Sequence, residues 1–149
     1  MSGKAIRETL AALGVIASLV FVGMEIRQNN TVARMSAYQA FTQQLIDQSM
    51  LVIAGEYPAL NARMTRGESR EEFTLEETLH IDMVYMGLLR TWESLYRAVQ
   101  LGVLDEEMLA IIDSNVGPFR FAYFQESWSD FRTTFTEDFA TFFENLMVG

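Results

Sequence analysis

Glu77 and His80 are the first residues whose types and spacing could do chemistry. Residues three apart lie on one face of a helix, so this carboxylate and this imidazole could share a metal ion. A di-iron carboxylate site uses the Glu-x-x-His motif twice, with two further carboxylates. His80 is the single histidine of the chain. One chain therefore supplies at most half of such a site, and a metal-dependent enzyme at Glu77 and His80 is a weaker alternative.

The chain lacks the sequence signatures of the common catalytic and nucleotide-binding sites. There is no Gly-x-Ser-x-Gly elbow, no phosphate-binding P-loop and no dinucleotide fingerprint. The chain contains no cysteine, which excludes disulfides, thiolate metal sites and a cysteine nucleophile. We therefore lean away from an enzyme, and we expect no catalytic residue, no metal and no cofactor.

Arg90, Glu93 and Arg97 form a charged group around Trp92. Their spacing of three and four residues places them on one helix face, with Glu93 and Arg97 in the favourable order. Two arginines around one carboxylate could form a buried anion site. A ladder of surface ion pairs over a packed tryptophan is the commoner arrangement, and it is the one we predict.

Six aromatic residues near the C-terminus recur in steps of 4, 3, 4, 4 and 3, with a mean spacing of 3.6. This is one turn of an α-helix, so the pattern predicts a single helix with one aromatic face. We expect this face to pack in the core or against a protein partner. The alternative is a pocket for a small apolar ligand or lipid, with Met83 and Met86 contributing. The stripe consists of Phe124, Trp128, Phe131, Phe135, Phe139 and Phe142.

The N-terminal region contains an apolar run, and residues 10–24 are fifteen residues without a charge. A membrane span needs about 20 residues of helix, and Lys4, Arg7 and Arg27 can reach the two interfaces from its ends. We therefore predict a membrane anchor over residues 1–27; a buried helix and a signal peptide are the alternatives. The predicted lipid-facing residues are Leu10, Leu13, Val15, Ile16, Leu19, Val20, Phe21 and Val22.

Ala11, Gly14 and Ser18 are small residues within this predicted span. Small residues let two helices approach closely in lipid, so these three could pair the anchor with another helix. Basic residues are nearly balanced on the two sides of the run, so the side of the membrane that holds the remaining chain is undetermined. We expect a single-pass protein of the bacterial inner membrane.

Residues 28–149 are predicted to form an acidic helical domain. Residues 51–149 carry seven basic and seventeen acidic side chains, so this part of the chain repels phosphate backbones and nucleic acid is not an expected partner. Strand-like alternation is absent, and a Thr74-x-x-Glu77 capping box opens a long helix that Gly102 ends. The predicted fold is all-α, with one transmembrane helix followed by a compact bundle of about four helices.

The segment Ile26-Arg27-Gln28-Asn29, directly after an apolar helix, resembles the start of a group of small bacterial proteins of uncharacterised function. The likeness extends loosely to the aromatic C-terminal region and continues at Trp92-Glu93, Tyr96, Gly102 and Leu104-Asp105. It implies an N-terminal membrane helix and a helical domain, and it carries no activity or site residue. The chain departs from the group at Asn29-Asn30-Thr31, where the group more often has a single Asn before Thr.

These observations favour a membrane-anchored protein that acts through protein–protein contact. Its N-terminal helix would contact membrane lipid, and its acidic domain would bind a partner. The partner would be either a second copy of the chain or a larger membrane complex of which this chain is an accessory subunit.

Overall fold

The structure is a computed structural model that describes residues 3–148. Residues 1, 2 and 149, which the predicted domain ranges include, lie outside the described residues. The described chain consists of helices joined by turns and contains no strand. The prediction of an all-α protein is therefore confirmed.

Six α-helices account for most of the described residues. Short 3₁₀ turns at Arg70–Glu72, Glu106–Leu109 and Gly117–Arg120 lie between them. The helices are α1 (Gly3–Ile53), α2 (Tyr57–Thr65), α3 (Leu75–Gln100), α4 (Ala110–Asn115), α5 (Ala122–Arg132) and α6 (Glu137–Val148).

The chain divides into two compact units, Met1–Ala37 and Tyr38–Gly149. The boundary expected from the sequence lies between residues 27 and 28. Helix α1 includes residues 29–31 and ends at Ile53, where Gly55 adopts a φ of +61°. Glycine accepts this left-handed conformation without the steric cost of a side chain. The second unit contains seven arginines and eighteen acidic residues.

The central helix of the second unit, α3, begins as the sequence predicts. The Thr74 side chain accepts a hydrogen bond from the Glu77 N–H at 3.3 Å, and Glu77 Oε2 accepts one from the Thr74 N–H at 2.8 Å. This reciprocal capping box satisfies two backbone donors that the helix leaves unpaired. Gly102, with a φ of +68°, follows the end of the helix. The buried apolar side chains of α3 are Ile81, Val84, Tyr85, Leu89, Trp92 and Leu95.

Aromatic rings fill the core of the second unit. The ring centroid of Phe119 lies 4.8 Å from that of Phe124 and 5.3 Å from that of Phe143, with interplanar angles of 80° and 83°. Tyr85 lies 4.9 Å from Phe124. Edge-to-face pairs of this kind add about 0.5–1.5 kcal/mol each beyond the burial of their area. The sequence analysis did not single out Phe119 or Phe143 for this role.

The predicted single C-terminal helix is wrong, because the chain breaks between α5 and α6. The Thr136 N–H donates to Glu93 Oε1 at 2.9 Å and not to the carbonyl four residues earlier. The ring centroids of Trp128 and Phe143 lie only 5.2 Å apart. In one unbroken helix these residues would be about 22 Å apart along the axis. Helix α6 therefore folds back along α5, and the six stripe residues do not share one helix face.

Most of the aromatic stripe still faces the core. Phe124 and Phe139 are fully buried, and Phe131 and Phe135 are buried with small exposed edges. Trp128 and Phe142 are half-buried. The rings pack against one another, as Phe135 and Phe139 do at 5.6 Å between centroids.

We expect Phe139→Ala to lower the free energy of unfolding by about 3–5 kcal/mol, because it removes a fully buried ring and leaves a cavity. Thermal unfolding of the full chain in detergent measures this loss. Phe142→Ala is the matched control, since the same change at a half-buried ring of the same helix should cost clearly less. Equal losses in the two variants would contradict the described core.

Candidate functional site

The eight predicted lipid-facing residues all lie on α1 and are all exposed, from 48% at Val22 to 67% at Leu19 and Phe21. One helix among the described residues is long and apolar enough to cross a membrane, and none of its apolar window is buried within the chain. The mean hydropathy of the most apolar 18 residues of this helix is 1.9. A signal sequence near an N-terminus can pass the same test of length and composition. Exposed apolar area costs about 25 cal/mol per Å² in water, so removing this surface from water would be favourable.

The three small residues of this segment are also exposed. The Ser18 hydroxyl donates to the Gly14 carbonyl at 2.9 Å, so its polar group is satisfied inside the helix. A Cβ atom at Gly14 would meet no atom within 4 Å. There is therefore open space beside Gly14. Ala11 and Ser18, which lie one turn away on either side, are exposed as well.

Glu77 acts in the structure as a capping and ion-pairing residue. Its Oε1 accepts a hydrogen bond from Arg63 at 2.7 Å, and its Oε2 accepts the Thr74 N–H. The Thr74 hydrogen bond is the main reason that the pKa of this carboxyl lies below its ordinary value. His80 is exposed, with its ring centroid 6.0 Å from that of Tyr57. No group of three or more side chains suited to a metal occurs in the described part of the chain.

A polar cleft of about 420 Å³ lies where α3 meets the turn between α5 and α6. We call it the arginine cleft. Its two arginines lie seven residues apart on α3, which places them on one helix face with Glu93 between them. The cleft is lined by Arg90, Glu93, Ser94, Arg97, Thr134, Phe135 and Thr136.

Glu93 is the buried centre of the arginine cleft, with 7% of its surface exposed. Its Oε1 accepts hydrogen bonds from the Thr136 N–H at 2.9 Å and from the Thr136 hydroxyl at 2.8 Å. Its Oε2 accepts one from Arg90 at 3.0 Å, and the Arg97 Nε lies 4.0 Å from Oε1. The predicted ion pairs of Glu93 with Arg90 and Arg97 over a packed Trp92 are present, but Glu93 is buried and also caps the start of α6. The two arginines are exposed, as that prediction requires.

The hydrogen bonds to Glu93 keep it ionised. Burial raises the pKa of this carboxyl, but the two bonds from Thr136 and the bond from Arg90 outweigh burial and hold the pKa below its ordinary value. Arg90 is held in turn by Phe135, whose ring centroid lies 4.6 Å from the guanidinium carbon. A cation over an aromatic ring is attracted to the face of that ring.

A row of exposed apolar side chains lies on the outer face of α3. Leu75, Leu79 and Met83 are spaced by four residues, so they form one row about 12 Å long. They are 76%, 55% and 75% exposed. We call this row the apolar ridge. At the Leu75 end it borders a cleft of about 500 Å³ that is lined by Arg70, Glu71, Phe73, Leu75, Thr78 and Glu126.

The apolar ridge was not predicted from the sequence. The spacing of Leu75, Leu79 and Met83 is visible in the sequence, but α3 is apolar on several faces between Ile81 and Trp92. Periodicity alone does not tell which of these faces the core covers.

Comparison with known proteins gives no relative for this chain. No family model matches it, and neither the curated proteins nor the solved structures contain a match. The candidate site therefore depends on the geometry described above.

We expect Glu93→Gln to lower the free energy of unfolding at neutral pH by about 1.5–3 kcal/mol, the range for hydrogen bonds to a charged group. Because the pKa of Glu93 is lowered by folding, its contribution is present above the unfolded pKa and disappears as the pH falls through the folded pKa. The difference between wild type and variant should therefore shrink in acid. Denaturant unfolding of the full chain in detergent at several pH values measures it.

Glu107→Gln is the charge-matched control, because Glu107 is exposed and the change should cost under about 0.5 kcal/mol. A Glu93→Gln deficit that stays constant from neutral to acid pH would show that the charge of Glu93 does not contribute.

Proposed function

We propose that this chain is a single-pass membrane protein of the bacterial inner membrane, with a compact bundle of helices that acts by binding another protein. The observation that carries the first part is the exposed apolar run of α1 between Leu10 and Val22. The partner is either a second copy of the chain or a larger membrane complex of which the chain is an accessory subunit.

Insertion in lipid accounts for the exposed run better than the alternatives do. A buried core helix would be covered by the rest of the chain, and none of this apolar window is covered. A cleaved signal peptide favours small residues at its cleavage site, and Val22-Gly23-Met24-Glu25, with one small residue, is a poor site. Lipid removes the apolar side chains from water and leaves Lys4 and Arg27 near the two interfaces.

The apolar ridge supports the second part of the proposal. Leu75 and Met83 are among the most exposed large apolar residues of the second unit, and Leu79 between them is 55% exposed. Contiguous exposed apolar side chains are typical of contact surfaces on soluble domains. The second unit is strongly acidic, so anionic lipid head groups would repel it. A protein partner is therefore the better occupant of the ridge.

The two alternatives gain no support from particular contacts. A ligand pocket along the aromatic stripe would need space between the rings, and these rings pack on one another, as Phe124 and Phe131 do at 6.0 Å. A metal at Glu77 would have to displace Arg63 or the Thr74 N–H from its carboxylate.

Full-length protein should remain with the membrane fraction after high-salt and carbonate washes, and deletion of residues 1–26 should release it. Ile16→Lys combined with Leu19→Lys should also release it, because each charge at the centre of a span costs about 2.5–3.5 kcal/mol. Fractionation followed by immunoblotting measures both effects.

The matched control is Ile46→Lys combined with Met50→Lys, which adds two charges at exposed positions of α1 in the second unit. This variant should stay with the membrane. Intact protein that is soluble without detergent would exclude the membrane anchor.

Leu79→Asp should abolish co-purification of the partner from gently solubilised membranes, because it places a charge in the middle of the apolar ridge. Leu101→Asp is the control, since it makes the same change at an exposed leucine of the second unit outside the ridge. Both variants should keep the wild-type melting temperature. Native mass spectrometry identifies the partner, including a second copy of the chain. Retention of the partner by Leu79→Asp would rule out the ridge as the contact surface.

A further inference from the structure

Among the described residues of the second unit, the ion-pair groups are charge-balanced or acidic with one exception. Arg70 pairs with Asp82 and Asp130, and Arg132 pairs with Glu137 and Glu144. Each of these arginines is therefore matched by two carboxylates. Each of these two groups therefore has a net negative charge and would not attract an anionic ligand.

A third group, formed by Arg63 and Arg66 with Glu68 and Glu77, is balanced. Two arginines meet two carboxylates there. No surplus of positive charge remains at this group either.

The arginine cleft is the exception among the described ion-pair groups. Arg90 and Arg97 share the single carboxylate of Glu93. The carboxylate is buried, whereas both guanidinium groups are more than half exposed. The group therefore presents a surplus of one positive charge to solvent, on a unit whose total charge is strongly negative.

One side-chain hydroxyl adds a donor to this surplus charge. The Thr134 hydroxyl donates to the Phe131 carbonyl at 2.7 Å and the Thr136 hydroxyl donates to Glu93 at 2.8 Å, so the exposed Ser94 is the residue whose hydroxyl can donate to a ligand in the cleft. Arginine provides several N–H donors in a planar fork that matches the two oxygens of a carboxylate. The volume of about 420 Å³ lies within the range of small-ligand sites.

From the charge surplus and these donors we infer that the arginine cleft binds a carboxylate group. One added carboxylate would give each arginine its own anionic partner and would neutralise the group. A phosphate dianion would exceed the surplus and would leave net negative charge beside Glu93 and in the field of an acidic unit. The charge balance therefore favours a monoanion with the shape of a carboxylate, from a free small acid or from an acidic side chain of a protein.

The direct test follows the Nε–Hε signals of Arg90 and Arg97 by NMR on ¹⁵N-labelled full-length protein in detergent. Sodium acetate replaces sodium chloride at constant ionic strength, so that screening does not change. We expect saturable shifts at Arg90 and Arg97 and none at Arg66. Sodium phosphate should produce weaker shifts than acetate.

Arg97→Gln should weaken acetate binding at least about tenfold, as expected for the loss of a hydrogen-bonded charge. Arg66→Gln is a matched control, because the exposed fractions of the two side chains are 60% and 62%. Its acetate affinity should equal that of the wild type. Absence of saturable shifts, equal effects of the two variants, or tighter binding of phosphate than of acetate would each overturn the inference.

A second probe separates the two sources of the carboxylate. N-acetyl-glutamic acid N-methylamide presents a carboxylate as a protein side chain does. Binding at least as tight as that of acetate assigns the cleft to an acidic side chain of a partner, and weaker binding assigns it to a free small acid. This titration needs no partner protein, so its result stands apart from the test of the apolar ridge.

Discussion

A single buried carboxylate organises the second unit of this protein. Glu93 on α3 accepts the N–H and the hydroxyl of Thr136, and these bonds replace the helical bond that would otherwise continue α5 into α6. The resulting turn lets α6 fold back, so that Phe143 packs against Trp128 and Phe119. The same carboxylate accepts a hydrogen bond from Arg90 and lies 4.0 Å from the Arg97 Nε, and these are the two arginines that line the cleft. Glu93 thus takes part both in placing α6 against the aromatic core and in forming the charged cleft.

Most of the large apolar side chains of the second unit are buried, whereas those described in the first are exposed. In the second unit, large apolar side chains such as Tyr85, Phe139 and Phe143 are removed from water by one another. In the first unit, the apolar side chains between Leu10 and Val22 are exposed in the described structure. A bilayer would supply an apolar environment for the first unit, while the acidic second unit would remain in water.

Local interactions explain what the sequence predicted correctly. The capping box of Thr74 and Glu77 and the left-handed Gly102 depend on neighbours a few residues away, so their patterns are visible in the sequence. The break before α6 depends on Glu93, 43 residues earlier than Thr136, and helical spacing of the aromatic residues concealed it. Thr136 followed by Glu137 and Asp138 was the local signal of a helix start. Exposure of the apolar ridge is a property of tertiary packing, which periodicity does not report.

The most direct test of the role of Glu93 is the pKa of its own carboxyl group, measured by carbon-detected NMR titration of the full-length protein in detergent. Donors from Thr136 and Arg90 stabilise the ionised form, so we expect a pKa below the ordinary glutamate value. On protonation, the amide proton of Thr136 should shift with the same midpoint. A pKa at or above the ordinary value, or a Thr136 amide that does not respond, would contradict the account.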